Sequence, residues 1–171
     1  IGLIIPDLRN PHFWQNAEGV ELEARAAGYR LLLSSMDLNA AYGEDSFKDL
    51  SGRRIDALIL MGGLVDQSAA TQQILARCLK RRMPIVEIGD HALHKQKVDN
   101  VISDYRAATG QMVAHLLELG HRRIALIYGV AVAPMGFDRL EPFRETLQAA
   151  GIDADEYIIN CGTTMDDSYA A

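Results

Sequence analysis

The chain is short of nearly everything that announces a chemistry. Its two cysteines, Cys78 and Cys161, lie far apart with no metal-ligand spacing, which excludes a disulfide-built scaffold or a thiolate metal knot. Reduced, buried thiols in a reducing compartment fit that usage, with a single disulfide as the open alternative. Positive charge is also scarce: 17 Lys and Arg stand against 23 Asp and Glu, a net charge of −6. Phosphate contacts need clustered basic residues, so residues 1–171 are not read as a nucleic-acid surface, and any DNA role needs another segment. No apolar run reaches the roughly 18 residues of a membrane span, and no basic, apolar, small-residue leader opens the sequence. The first residues already read as a strand, so the natural chain is expected to carry residues upstream of Ile1.

Catalytic motifs are missing in the same way. Met61-Gly62-Gly63 follows a strand-like run, but neither GxGxxG nor GxxxxGK[ST] occurs, and there is no GxSxG or HExxH. The five histidines, His12, His91, His94, His115 and His121, share no metal-ligand spacing. His91 and His94 are three apart in a polar stretch and read as solvated loop residues. The paired acids Glu44-Asp45 and Asp166-Asp167 read as helix starts and solvated turns. No enzyme, metal site or cofactor is expected.

What is present is an alternation. Apolar, strand-like runs recur at Gly2 to Ile5, Tyr29 to Ser34, Ala57 to Met61, Pro84 to Ile88, Asn100 to Ser103, Ile124 to Tyr128 and Glu156 to Asn160. Between them lie helical patterns. Phe13, Ala17, Val20, Ala24 and Ala27 step by three and four before Gly28, and the same punctuation returns before Gly120 and Gly151. Helix, glycine, then strand is the sequence form of a doubly wound α/β fold with a parallel sheet. Stretches near Glu44 to Leu50 and Gln67 to Arg82 supply the remaining crossovers. Five strands fall in residues 1–104, whereas residues 105–171 offer only two strands and two helices. That is little from which to build a core, so the chain reads as one lobe and the beginning of a second.

Polar groups gather where strands end. Pro6 to Trp14 places Asn10, His12 and Phe13 after the first strand; Asp37, Gly62, Asp90 and Asp104 follow the next four. In an open α/β sheet, ligands bind beyond the carboxyl ends of the strands, and an apolar body with a few directional polar groups is the makeup of a small-molecule cleft.

Several of these segments together resemble the effector-binding core of the lactose-repressor (LacI/GalR) family of bacterial transcription regulators. The likeness rests on Ile1-Gly2-Leu3-Ile4-Ile5-Pro6-Asp7, the Asn10-Pro11-x-Phe13 turn, Glu23 to Tyr29, Arg54 to Leu60, and above all His115-Leu116-Leu117-Glu118-Leu119-Gly120-His121-Arg122-Arg123-Ile124. The resemblance implies a two-lobed, periplasmic-binding-protein-like fold, each lobe a doubly wound parallel sheet, with residues 1–104 the first lobe and 105–171 an incomplete second. It implies a cytoplasmic, non-enzymatic homodimer that binds a sugar or related metabolite between its lobes. Operator DNA would be read by a helix-turn-helix not present in this chain. The periplasmic solute-binding proteins of sugar transporters share the fold and are the alternative.

Carried over by position, Asn10, His12 and Phe13 match first-lobe effector contacts, while Trp14 matches a position usually out of contact. Asp90 stands where sugar-binding relatives often have Arg, with Gly89 in place of the preceding Asp; an acceptor there suits an effector offering hydroxyls or a cation. Arg139 matches an arginine reaching into the cleft from the second lobe, where its guanidinium can hold two oxygens. Tyr105 stands where Asn is common, and Asp104 is assigned hinge or capping work at the first crossover, near Asp104 to Arg106. Pro142 replaces a usual glycine. Because proline is comfortable only in a first helical turn, its helix is expected to begin near Arg139 or Leu140.

Overall fold

The computed structural model describes residues 1–8, 10–35, 50, 55–61, 69–89, 98–129, 134–161 and 165–170. Asp37, Glu44, Asp45, Gly62, Asp90, His91 and His94 lie outside the described residues. The chain divides into two compact units, Ile1–Ile102 and Ser103–Ala171.

In the first unit, β1 (Gly2–Ile5), β2 (Leu32–Ser35), β3 (Leu58–Met61), β4 (Ile85–Ile88) and β5 (Asp99–Val101) form one sheet in the order β2-β1-β3-β4-β5. Every pairing is parallel, with Gly2 in register with Leu32 on one side and Leu58 on the other. β1 is buried throughout. Its alternating side chains explain why: Ile4 packs with Leu58, Leu60, Leu75, Cys78 and Ile85, while Leu3 and Ile5 pack with Ala17 and Met61 on the other face. An unbroken apolar run is what a strand covered on both faces requires. β2 is different. It starts at Leu32 rather than Tyr29, and Leu32 and Leu33 are exposed because this strand lies at the sheet edge. β5 likewise starts and stops before the expected Asn100 to Ser103.

Two helices of this unit are described, α1 (Pro11–Ala26) and α2 (Ala69–Lys80). α1 starts with Asn10 as N-cap and Pro11 in its first turn, where a missing N–H removes no helical bond. It ends in a Schellman motif: Gly28 at φ +82 donates to the Arg25 carbonyl, and Tyr29 donates to that of Ala24 at 2.8 Å. Gly120 and Gly151 end two later helices with the same pair of bonds. α2 closes identically but without a glycine. Arg82 takes φ +57 and donates to the Leu79 carbonyl, and Met83 donates to that of Cys78. A side chain in this region costs about 1 to 2 kcal/mol, against about 0.5 to 1 kcal/mol for the extra backbone entropy of glycine. Since Arg82 is exposed, Arg82→Gly is expected to stabilise the unit by about 0.5 to 1 kcal/mol, read as a higher urea midpoint at unchanged slope.

The second unit holds α3 (Tyr105–Glu118), β6 (Leu126–Tyr128), α4 (Pro134–Ala149), a 3-10 turn (Asp155–Tyr157), β7 (Ile158–Asn160) and α5 (Met165–Ala170). β6 and β7 pair in parallel. Val113, Ile124, Phe143, Leu147 and Ala154 form the core, with Leu116, Leu117, Leu126 and Ile158 against it. Ile127 and Ile159, register partners, are exposed on the other face. α4 overturns one expectation. It begins at Pro134, not near Arg139 or Leu140, and runs through Pro142. An interior proline costs about 3 kcal/mol. Phe143 and Leu147 follow it at 2% and 0% exposure, and full burial of each contributes about 1.5 to 3 kcal/mol, so packing outweighs the lost helical bond. A proline at position 134 itself suits a helix's first turn.

Candidate functional site

The first group of candidate residues is assembled where β1 runs into α1. Pro6 is buried, and Asn10 follows at the helix start, where its Oδ1 accepts a hydrogen bond from the His12 backbone N–H at 3.0 Å. Asn10 therefore does structural work as a cap, with its carbonyl end turned to the backbone. His12 is exposed on the first turn, and its backbone carbonyl accepts from Asn16 Nδ2 at 2.6 Å. Its ring meets that of Phe13 edge to face, with centroids 5.3 Å apart and planes at 70°. Phe13 is half-buried against Leu3, Ile5, Ala17 and Met61, so its ring is anchored in the core on one side. Trp14 matches a position usually out of effector contact, which does not require burial in the core. Its side chain is 43% exposed.

Further along the sheet, Gly89 ends β4 with φ +130 and donates from its N–H to the Val101 carbonyl at 2.9 Å. Asp90 lies outside the described residues, so its candidate role rests on sequence position alone. One feature escaped the sequence reading. Glu87 is only 1% exposed within the β4 run and accepts a hydrogen bond from Asn100 Nδ2 at 2.9 Å across the β4–β5 pairing. A charged residue inside a strand buried on its own face was the available signal, because such groups are rarely buried without a partner.

In the second unit, Asp104 is the N-cap of α3. Its Oδ1 accepts from the Ala107 N–H at 2.9 Å. Tyr105 is the next residue, and the Arg139 guanidinium carbon stands 3.8 Å from the centre of its ring. Both side chains are half-buried. The surrounding helices are clamped together by Arg106, whose guanidinium reaches Glu145 at 2.7 Å and Glu141 at 3.4 Å. The hydrogen bond and charge of Glu145 raise the Arg106 pKa above its ordinary value, and Glu141 adds to the effect. These are exposed pairs, and they fix geometry more than they add stability.

The thiols take no part in this chemistry. Cys78 is buried in the first core, and burial pushes its pKa up against the opposing charge of Arg81, leaving an unreactive thiol. Cys161 is free and buried in the second unit. Among the described residues, no group of three or more His, Cys, Asp or Glu is placed to hold a metal ion, and no helix is long and apolar enough to cross a membrane. Of the described candidates, the first unit holds the His12 and Phe13 rings and the capping Asn10, and the second unit by itself holds the Arg139 guanidinium over Tyr105.

Known proteins place this architecture. Residues 1–171 match the family model for periplasmic binding proteins and the sugar-binding domain of the LacI family. The HTH-type transcriptional regulator DegA of Bacillus subtilis is 29% identical over 163 residues, covering 93% of this chain and 46% of that protein. The chain thus spans about half the length of the curated relatives it matches. A LacI family transcriptional regulator from Mycobacterium smegmatis superposes with a TM-score of 0.75 at 30% identity, over 99% of this chain and 59% of that one. A transcriptional regulator CelR–cellobiose complex superposes with a TM-score of 0.79 at 25% identity, over 99% of this chain and 52% of that one. Matched from its first residue to its last, and built on the parallel α/β architecture of these regulators, the chain belongs to the family of periplasmic binding proteins and LacI-family sugar-binding domains.

Proposed function

We propose that this chain is the effector-sensing core of a bacterial, cytoplasmic transcription regulator, non-enzymatic and homodimeric, whose effector is a sugar or sugar derivative. The observation that carries this reading is the family match over residues 1–171, joined by relatives that are themselves transcriptional regulators. Those relatives favour a regulator over a transporter's solute-binding protein. That one relative is a complex with cellobiose supports a saccharide as the effector class.

In this reading His12 and Phe13 present an imidazole and a ring face to the effector, Asn10 its amide, and Asp90 a carboxylate acceptor. Arg139 supplies the planar donor from the second unit. Asp104, capping α3 two residues after the division at Ile102, serves the hinge. Operator DNA is contacted through a segment other than residues 1–171. The effector acts by differential affinity for two arrangements of the units: moving a state from 1% to 99% populated takes about 5.5 kcal/mol.

The test is calorimetric titration with a panel of monosaccharides, disaccharides and their phosphates, cellobiose included. Arg139→Ala is expected to weaken the best binder by at least about tenfold, a loss of about 1.4 kcal/mol, with the protein still folded. Unchanged affinity removes Arg139 from the site.

A further inference from the structure

Three of the four left-handed helix ends carry glycine, and the fourth carries Arg82 at φ +57. That arginine is the last of a cluster. Arg77, Lys80, Arg81 and Arg82 occupy about one and a half turns at and just past the end of α2, all four exposed. No acidic residue stands between Asp66 and Glu87, whereas α1, α3 and α4 each carry both signs of charge. Arg25, Arg106 and Arg144 find carboxylates on or beside their helices. Among the described residues none of the four cations of this cluster is in an ion pair. We propose that the cluster is a contact surface for the phosphate backbone of duplex DNA, used alongside the segment that reads the operator.

Stability does not account for these side chains. A helix C-terminus favours cations, but its dipole amounts to about half a charge, which four cations far exceed. Arg77 and Arg81 form an i, i+4 pair of like charge, which opposes the helix, and Arg82 adds backbone strain that glycine would relieve. A polyanion gives all four a role. Duplex DNA carries one charge per about 1.7 Å of its axis, so several phosphates come within reach of neighbouring cations, and each guanidinium can hold two phosphate oxygens. The regulator reading above puts duplex DNA beside this chain and so favours it over an acidic protein. The fold sets the location. α2 leads into β4, and in a parallel sheet every strand begins at one edge, while Asn10, His12 and Phe13 stand where β1 ends, at the opposite edge. Asp56, just before β3, and Asp99, at the start of β5, are the acids nearest in the sheet order, and they leave the cluster with excess positive charge. The net charge of −6 is a sum over the whole chain. Exposed charges are screened beyond about 8 Å at physiological salt, so a phosphate meets the cluster and not that sum. Such contacts carry no sequence information, and recognition of the operator stays with the other segment.

The experiment follows the full-length protein on a mixed-sequence duplex of about 40 base pairs by fluorescence anisotropy, from about 50 to about 200 mM salt. Lys80→Gln/Arg81→Gln is expected to lower the slope of log affinity against log salt by about 2 and to weaken binding about tenfold at about 100 mM salt. The factor should be the same on a second duplex of unrelated sequence. Arg82→Gly is expected to lower the slope by about 1 and weaken binding about threefold, while its urea midpoint rises. Arg122→Gln/Arg123→Gln removes the same charge from exposed residues of the second unit and is expected to leave the slope within about 0.5 of wild type.

An Arg82→Gly protein that is more stable and binds the duplex as wild type overturns the proposal. So does an equal fall in slope for Arg122→Gln/Arg123→Gln, because net charge and not a surface would then set the affinity. Poly-glutamate supplies the other arm. If the wild type binds it, and Lys80→Gln/Arg81→Gln loses it while keeping its affinity for DNA, the surface belongs to an acidic protein and the DNA assignment falls. If the full-length wild type binds no duplex, the regulator reading falls together with this proposal, whereas wild-type slopes in the cluster variants remove this proposal alone.

Discussion

Phe143→Ala is expected to destabilise the second unit by about 3 to 5 kcal/mol, the cost of deleting a buried aromatic and leaving a cavity. Phe143 is 2% exposed and sits among Val113, Ile124, Leu147 and Ala154. No larger side chain of that cluster is available to close over the space. The loss falls on a small core, where a few kcal/mol is a large share of total stability. It also falls on the residue immediately after Pro142, so the same substitution removes part of the packing that keeps α4 continuous through its proline. Hydrogen exchange checks the prediction. Amides of α3, α4, β6 and β7 should lose protection, while those of β1, β3 and β4 should hold theirs, because the clusters of the first unit share no residue with this one. Equal loss across β1 to β5 would show that the two cores unfold as one.

The second large effect belongs to the central strand of the first unit. Ile4→Ala is expected to cost about 2 to 5 kcal/mol, since Ile4 is 1% exposed and packs against Leu58, Leu60, Leu75 and Ile85. One strand away, Leu33→Ala is expected to fall within about 0.5 kcal/mol of wild type, because Leu33 is 44% exposed on the edge strand. The two substitutions delete similar side chains from strands that are hydrogen-bonded neighbours. Their difference measures position in the sheet and nothing else. Urea unfolding of both variants decides it: comparable midpoints would mean that β2 is covered in solution.

The pattern of apolar and turn residues made much of this fold legible. Each of the seven strand-like runs overlaps one of the seven strands found among the described residues, and three helix ends were marked by Gly28, Gly120 and Gly151, each at positive φ. Those signals are local. A strand covered on both faces must be apolar at every residue, as β1 is, and a left-handed helix cap favours glycine for want of a Cβ. The fourth cap escaped because Arg82 carries no such mark. Its φ is imposed by the two hydrogen bonds that close α2 and by the turn into buried β4. The beginning of α4 was misplaced for a related reason: local chemistry put Pro142 in a first turn, and the burial of Phe143 and Leu147 overrode it.

The candidate site was legible in part. Asn10, His12, Phe13, Asp104 and Arg139 could be singled out because strand ends and family position pointed to them. The capping half of the role assigned to Asp104 is seen at the start of α3, but residue type did not reveal that Asn10 Oδ1 would also accept a backbone N–H as a helix cap. Nor did it reveal that Arg139 would lie on Tyr105, thirty-four positions earlier in the sequence.

By itself the sequence determined the class of this protein: a parallel α/β chain that resembles the LacI family, with none of the catalytic motifs sought and more acidic than basic residues. These properties follow from composition, from the period of the apolar pattern and from motifs contiguous in the chain. Tertiary structure alone decided which strand stands at the edge, which buried acid finds an amide, and which ring carries the arginine. Each depends on side chains distant in sequence meeting in space. Glu87 and Asn100 are thirteen residues apart, and only the register of β4 against β5 sets them side by side.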